Sequence, residues 1–394
     1  MVDRGHVLLA GVSVRALAQS ATGAGYRVTA VDVYGDLDLE ALAHRLLVVP
    51  QGIGRRFSAD AAVRIAHGTG CDALAYASGF ENQPRAVSRL ATIAPLWGNT
   101  PTVLARVRDP ACLSRALRAR RLPAPLVRVT RAPARARVRW LLKPRASGGG
   151  HGIVPWRPKY RASLPRTMYL QERVRGVAGS IVFASDGARA VPLGLSRGLS
   201  GERAFGAGVR GFLYCGSILA AAGDPQFSND ARLLAAATAL AAAATEEFRL
   251  VGVNGIDFIA RSGVAYALEV NPRYTASMEL VERAYGVSIF DVHARACAGT
   301  LPLFDLATAR ATVPGAIGKA VIYARRDTTI GDSRSWLADP DIRDVPRPGE
   351  RIPDGRPVCT IFARGRDGAA CLGALEARAA ALYRSLERRL ERIA

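Results

Sequence analysis

Short apolar runs separated by polar, glycine-containing turns organise the first hundred residues. His6–Val12 is an apolar run that predicts a strand, Ser13-Val14-Arg15 turns into a helix reaching about Ala24, and Tyr26–Val33 predicts a second strand. This is a βαβ opening with a parallel sheet. Leu46–Val49 and Cys71–Ala77 continue the alternation. The last of these strands runs into Ser78-Gly79-Phe80-Glu81-Asn82, a loop beyond a strand's carboxyl end, where open α/β sheets bind ligands. Ser78, Glu81 and Asn82 are therefore candidates to line a substrate site, a helix cap being the competing reading. Asp32 ends the second strand, where a dinucleotide fold places an acid on ribose. Gly11-Val12-Ser13-Val14-Arg15 lacks the glycine fingerprint, so no dinucleotide is expected.

Further along, a helix is predicted over Asp109–Arg121, strands and turns over 180–218, and an Ala-rich helix over Ala231–Glu247. Ser196–Arg210 reads as a polar loop whose Arg197, Arg203 and Arg210 are candidates to meet an acidic substrate. A plain surface loop is the alternative. A β-rich lobe is expected from Ile317 onward, closed by an amphipathic helix over Ala374–Ile393. No run approaches the ~20 apolar residues needed to span a bilayer.

The most informative stretch is Leu268-Glu269-Val270-Asn271-Pro272-Arg273. In a strand, alternate residues share a face, so Glu269, Asn271 and Arg273 point together. A hard cation such as Mg²⁺ takes a carboxylate or two plus substrate phosphates. The Arg fork suits a phosphate. A strand end closed by an Asn-Pro turn is the competing reading. Twelve residues earlier, Val253–Ile259 is an apolar strand holding Asp257, a charge that needs a partner or a metal. The turn signal Arg261-Ser262-Gly263-Val264 folds the two strands into a hairpin, bringing Asp257 opposite the Glu269 region.

Upstream, a strand ends at Lys143-Pro144 and is followed by Ser147-Gly148-Gly149-Gly150-His151-Gly152. Glycines let backbone N–H groups close on an anion, and Lys143 adds a point charge for phosphates. A Gly-rich hairpin turn is the alternative. The order is not that of a Walker loop, because the Lys precedes the glycines. Three of the 54 basic residues are lysines, leaving 51 arginines, so a Lys at this place carries some weight. Next, Tyr169-Leu170-Gln171-Glu172-Arg173-Val174 is a short strand ending in a polar pair, suited to reading an adenine edge through backbone and a ribose hydroxyl through a carboxylate.

Taken in this order, the Lys and glycine loop, the hinge carboxylate, Asp257 and the Glu-x-Asn-x-Arg strand resemble the ATP-grasp superfamily over roughly residues 100–300. The pattern is similar to biotin carboxylase, the carbamoyl-phosphate synthase large chain and smaller carboligases. It departs from biotin carboxylase at Gln171-Glu172 and in lacking a biotin-side signature. The resemblance implies an α/β ATP-grasp fold: a Rossmann-like pre-ATP-grasp domain at 1–101, the nucleotide-binding core at 102–305 and a C-terminal β-rich lobe at 306–394. It implies ATP with Mg²⁺, or Mn²⁺, as cofactors. Lys143, the Ser147–Gly152 loop (Ser147, Gly148, Gly149, Gly150, His151, Gly152), Gln171, Glu172 and Val174 would bind the nucleotide. Asp257, Glu269 and Asn271 would hold metal, and Arg273 with Lys143 would act on the transferring phosphoryl group. Ser277 and Glu279, opening the next helix, join the arginines as substrate candidates.

The implied activity is ATP-dependent ligation of a carboxylate to an amine through an acyl phosphate. The pattern also resembles tyramine–glutamate ligases of methylofuran-type one-carbon cofactor biosynthesis, which favours glutamate as the added amino acid. A bicarbonate-activating carboligase and a nucleic-acid-binding protein with a degenerate ATP site are the alternatives.

Composition changes this picture little. The formal net charge is +21, with an Arg run at Arg115, Arg118, Arg120, Arg121, Arg128, Arg131, Arg135, Arg137 and Arg139. It fits either a partner with many negative charges, nucleic acid or a polyanionic substrate, or a solvated face and linker. Aromatics do not interleave with it, so nucleic acid is not the expected partner. The six cysteines form no Cys-x-x-Cys, and the first residues show no signal-peptide pattern. A cytoplasmic chain with reduced thiols, no membrane partner and room for homo-oligomerisation is expected.

Overall fold

The computed structural model describes residues 4–50, 57–130, 138–157, 164–208 and 211–390. The N-terminal sheet contains β1 (His6–Ala10), β2 (Arg27–Asp32), β3 (Arg45–Val48) and β4 (Ala73–Tyr76), all parallel, in the order β3-β2-β1-β4. Helices α1 (Arg15–Gly23), α2 (Leu37–Leu42), α3 (Ala59–Ala66) and α4 (Pro84–Leu90) connect and flank it. Buried β1, with Leu8 and Ala10 on one face and Val7 and Leu9 on the other, explains the unbroken apolar run. Asp32 ends β2 in a structural role. Its carboxylate accepts from the backbone N–H of Val14, Tyr34 and Gly35, at 2.7, 2.7 and 2.9 Å.

Two short helices, α5 (Pro101–Val107) and α6 (Pro110–Ala119), lead to a second sheet. Each starts with Pro at its first position behind a capping side chain, Thr100 and Asp109. This sheet holds β5 (Val127–Arg128), β6 (Trp140–Pro144), β7 (Val154–Pro155) and β8 (Met168–Glu172) in the order β5-β8-β6-β7.

The large sheet begins with β9 (Val177–Asp186), β10 (Ala190–Ser200) and β11 (Tyr214–Ala220). After α7 (Asp230–Phe248) come β12 (Val251–Arg261) and β13 (Val264–Asn271). Helices α8 (Met278–Tyr285), α9 (Ile289–Cys297) and α10 (Leu306–Thr312) precede β14 (Ala316–Tyr323), β15 (Thr328–Thr329), β16 (Ile342–Arg343), β17 (Arg351–Ile352), β18 (Pro357–Gly365) and α11 (Gly368–Leu390). The strand order is β13-β12-β9-β10-β11-β14-β18-β16, so strands from the expected C-terminal lobe extend the same sheet as β9–β13. Only β15 and β17 pair apart from it.

One face of this sheet packs against α7 and α11 through Ile181, Phe183 and Leu195 on one side and Cys215, Ile218 and Ile361 on the other. The opposite face meets the N-terminal domain and α8–α9 through Val182, Val253, Leu219 and Phe362. Ser196–Ser200, read from sequence as loop, is the end of β10, paired with β11 throughout and with β9 as far as Arg197. Sheet pairing overrides the weak strand preference of its Ser and Gly residues. Among the described residues, no helix is long and apolar enough to cross a membrane.

Candidate active site

The β12–β13 hairpin turns at Ser262-Gly263, where φ is +52° and +74°, and its register pairs Asp257 with Glu269 and Gly255 with Asn271. Burial leads in pushing the Asp257 carboxyl up to about 6, and the Glu269 charge adds to it, whereas contacts with Ser180 and Asn271 oppose. Asn271 donates from Nδ2 to Asp257 at 2.9 Å, leaving its Oδ1 turned toward the cations Arg108 (3.5 Å) and Arg273 (3.4 Å). Two carboxylates and an amide oxygen therefore converge with more negative charge than the interior compensates. A hard divalent cation that keeps phosphate and water ligands fits this donor set.

Across the cleft stands the second sheet. Lys143 is buried on β6 and donates to Gln171 Oε1 at 3.0 Å, with Tyr169 beneath its ammonium at 5.8 Å. Gln171 passes its own amide N–H to Leu268 O at 3.1 Å, tying the hinge to the acidic strand. Glu172 accepts from the Leu126 N–H at 3.0 Å, and Val174 lies half-buried just after β8.

The glycine loop bridges the two sheets. Gly149, Gly150 and Gly152 have φ of +60°, +77° and +74°, which only glycine adopts freely. A Cβ on Gly150 would lie 1.7 Å from Phe212 O, and Tyr214 N–H donates to Gly149 O at 2.9 Å. The loop is thus docked on the β10–β11 connection. Ser147 Oγ closes it by donating to His151 O at 2.7 Å. The cleft between loop, hinge and acidic strand encloses about 490 Å³, its open mouth included, and apolar Val107, Leu113, Ile153 and Leu268 supply part of its wall. Convergent polar groups on a partly apolar wall are the lining of a small-molecule site.

Two residues of the Ser78–Asn82 loop reach this cleft. Glu81, buried, accepts from Arg273 Nε and Nη2 at 2.9 and 2.6 Å. Burial alone would raise the Glu81 carboxyl, but Arg273 and Arg108 outweigh it and hold it low. Asn82 donates to Ser147 O at 3.3 Å.

Arg108 was not singled out by the sequence, yet it is the centre of the site. Its guanidinium donates to Asn82 Oδ1 (3.1 Å), Glu269 (3.3 Å), Val270 O (2.9 Å) and Ser147 O (3.0 Å). The Asp109 cap, accepting from Cys112 N–H at 2.7 Å, fixes the turn that aims it. In a chain with so many arginines, only its place just before a capped, Pro-started helix offered a signal.

The remaining candidates lie elsewhere. Arg197 shares β10 with Ser196 but points to the opposite face from Asp257, because alternate residues alternate faces. Arg203 is exposed on a single 3-10 turn, Arg203–Phe205. Arg210 lies outside the described residues. Ser277 is buried beside Thr275, their hydroxyls 3.3 Å apart. Glu279 is fully engaged: Arg15 Nη1 and Lys319 Nζ both reach it at 2.5 Å, and Arg15 also holds Asp344 at 2.9 Å. Burial alone would raise Glu279, but Arg15 and Lys319 dominate and hold it well below the usual carboxylate range. In the Arg run, Arg120 pairs with Glu246 on α7, while Arg131, Arg135 and Arg137 lie outside the described residues.

Comparison with known proteins agrees with this arrangement. Residues 107–277 match the family model described as "ATP-grasp domain". The biotin carboxylase domain of Hydrogenobacter thermophilus 2-oxoglutarate carboxylase, solved with MgADP and bicarbonate, superposes with a TM-score of 0.69 at 16% identity, over 92% of this chain and 86% of that one. Biotin carboxylase from Campylobacter jejuni gives 0.69 at 14% identity, over 93% and 89%. PurK, an N5-carboxyaminoimidazole ribonucleotide synthetase solved with ADP, gives 0.66 at 17% identity, over 97% of each chain. No curated protein sequence matches the chain. The Lys143 strand, the glycine loop and the Asp257–Glu269 hairpin all fall inside the matched segment, and the chain carries an ATP-grasp domain within the α/β architecture of those carboxylases and PurK.

Proposed function

We propose that this protein is an ATP-dependent ligase that activates a carboxylate as an acyl phosphate and transfers the acyl group to an amine. The observation that carries the reading is that Arg108 joins the Asp257–Glu269 pair and the glycine loop across one cleft. Each half alone has a structural explanation, and their meeting does not. The domain match supports the same chemistry.

In this reading the adenine and ribose lie against the Gln171–Val174 hinge, and the glycine loop covers the phosphates. Asp257, Glu269 and Asn271 Oδ1 would hold Mg²⁺, which neutralises phosphate charge when bound. Lys143 and Arg108 add fixed positive charge along the phosphates. Arg273, held by Glu81, faces the transferring group. A substrate carboxylate oxygen attacks the γ-phosphorus, and the bond to the β–γ bridging oxygen breaks, releasing ADP. An amine then attacks the acyl carbon and phosphate leaves. Such chemistry needs positioned charges rather than a protein nucleophile, in keeping with the residues gathered here. We favour an amino acid, glutamate first, as the activated acid. Tyrosine or tyramine would be the acceptor class.

Purified protein should gain thermal stability from millimolar Mg·ADP by mass action. It should release ADP only when an acid and an amine are both present, with the product identified by mass. Absence of any nucleotide shift would overturn the reading. Stimulation by bicarbonate with no amino acid active would replace it with the carboligase.

A further inference from the structure

Arg108 stands where the oxygens suited to a metal converge, and it is itself a cation. Its Nη1 donates to Val270 O at 2.9 Å and faces Glu269 Oε2 at 3.3 Å and Asn271 Oδ1 at 3.5 Å. Glu269 and Asn271 are thus already turned toward a guanidinium. Among the described residues, Arg108 is the one cation within salt-bridge distance of Glu269. Arg273 is committed elsewhere, because Glu81 takes its Nε and Nη2 at 2.9 and 2.6 Å.

The contacts to Glu269 and Asn271 are the weak ones. A charge-assisted N–H···O bond closes to about 2.7–2.9 Å. The Glu279 carboxylate shows a committed pair, with Arg15 and Lys319 both at 2.5 Å. At 3.3 Å, Arg108 balances the Glu269 charge without closing on it. The rest of the guanidinium is anchored by neutral acceptors, Nε on Asn82 Oδ1 at 3.1 Å and Nη2 on Ser147 O at 3.0 Å. Nη1 can therefore release Glu269 and Asn271 while the fork stays in place.

The pair is also within reach of solvent. The Glu269 side chain is 30% exposed and, with Arg108, Lys143 and Ser147, lines the open cleft between the glycine loop and the acidic strand. A free divalent ion entering there must compete with a guanidinium for its ligands and gains no phosphate oxygens in return. An ion carried on a nucleotide brings phosphate oxygens with it. They complete its ligand set and offer Nη1 a new acceptor.

Resting on the ligase reading, we propose that Arg108 is the resident counter-cation of the nucleotide-free site. It holds Glu269 and Asn271 until a metal–nucleotide complex displaces it, so the protein takes a divalent cation together with nucleotide and not alone. Metal and nucleotide are then coupled through one side chain, and removing that side chain uncouples them.

Binding of Mn²⁺ to full-length protein without nucleotide, read by electron paramagnetic resonance of the free ion, tests this. Wild type should bind Mn²⁺ only at millimolar concentration. Arg108→Met should bind it at least tenfold more tightly, the reverse of what deleting a site residue ordinarily does. This variant should melt below wild type in EDTA, because Glu269 and Asp257 lose their nearby cation, and Mn²⁺ should recover much of that loss while leaving wild type unmoved. Should Arg108→Met fail to fold, Arg108→Gln keeps a donor for Ser147 O and should show the same gain. Lys143→Met separates displacement from general attraction. Lys143 lines the same cleft but donates to Gln171, so its loss should leave Mn²⁺ binding as weak as in wild type. Adding Glu269→Gln to Arg108→Met should abolish the gain, which locates the ion. Tight Mn²⁺ binding by wild type, no gain in the Arg108 variants, an equal gain in Lys143→Met, or a gain that survives Glu269→Gln would overturn the proposal. Mg·ADP added to wild type tests the ligase reading separately. Its failure would sink that reading, while the manganese comparison would still decide this one.

Discussion

Two buried charge clusters share one face of the large sheet, and they are built on opposite principles. Around Glu279, two cations grip one carboxylate, and the acid is held far below its usual range despite complete burial. Around Asp257 and Glu269, two carboxylates face each other, with Arg108 at 3.3 Å from one of them, and burial with mutual repulsion drives Asp257 up to about 6. The Glu279 carboxylate is the more deeply buried, 5% exposed against 30% for Glu269, yet it is the acid held low, so burial runs the wrong way to explain the contrast. The Glu279 cluster is electrically complete and ties α1, α8 and β14 together. The Asp257 cluster is short of positive charge, which suits the proposed cation-binding role better than that of a structural ion pair.

The largest expected effect breaks the incomplete cluster. Glu269→Gln keeps the shape and removes one charge, so the fold should survive while turnover falls at least about a thousandfold, roughly 4 kcal/mol of barrier. Steady-state ADP release checks this, and activity within a few-fold of wild type would make the two clusters equivalent after all. Breaking the complete cluster should act on stability instead. Arg15→Met leaves Asp344 and Asp38 facing each other without their shared cation and strips Glu279 of one partner, which should cost about 3–4 kcal/mol in denaturant unfolding.

Asp257→Asn sharpens the contrast because it should stabilise the nucleotide-free protein. A carboxyl raised from 3.8 to about 6 holds its proton in the folded state where the unfolded chain has lost it. Its burden on stability is therefore absent below about pH 4, grows as pH rises through about 6, and is constant above. At 1.36 kcal/mol per pH unit the full effect is about 3 kcal/mol at most. The variant should be more stable than wild type at pH 7.5, and the gap should shrink steadily as pH falls from about 6 toward 4. Glu282, pushed by burial up to about 7, adds its own slope to both proteins and cancels in the difference. A gap independent of pH would mean that Asp257 is not strained by its charge.

The sequence made one cluster legible and hid the other for a physical reason. Asp257 and Glu269 lie on adjacent strands of one hairpin, so alternation and a turn signal suffice to pair them. Lys143 and the glycine loop are likewise contiguous. Arg15, Glu279, Lys319 and Asp344 are brought together from four distant elements, and nothing local in any of them predicts the others. The same holds for Glu81 and Arg273, whose contact joins the N-terminal sheet to the acidic strand. Arg197 failed to reach the site because a strand was read as a loop, and in a strand neighbouring residues face opposite ways. The C-terminal strands looked like a separate lobe because sheet membership is a non-local property.

The smallest expected effect concerns the surface arginines that give the chain much of its charge. Arg120 reaches Glu246 at 2.6 Å and Glu247 at 3.7 Å, but its side chain is 36% exposed and Glu246 is 54% exposed. Water and salt screen such a pair, and holding two long side chains together costs entropy. Arg120→Ala should change unfolding stability by no more than about 0.5 kcal/mol, and that small loss should vanish at high salt. ADP release should be unchanged, since α6 presents Arg120 toward α7 while Arg108, one turn before the same helix, faces the cleft. If Arg120→Ala instead raised KM for an acidic substrate, the positive charge of this surface would belong to recognition. The proposed division between a charge-deficient cluster that does the chemistry and a charge-complete remainder that does not would then have to be redrawn.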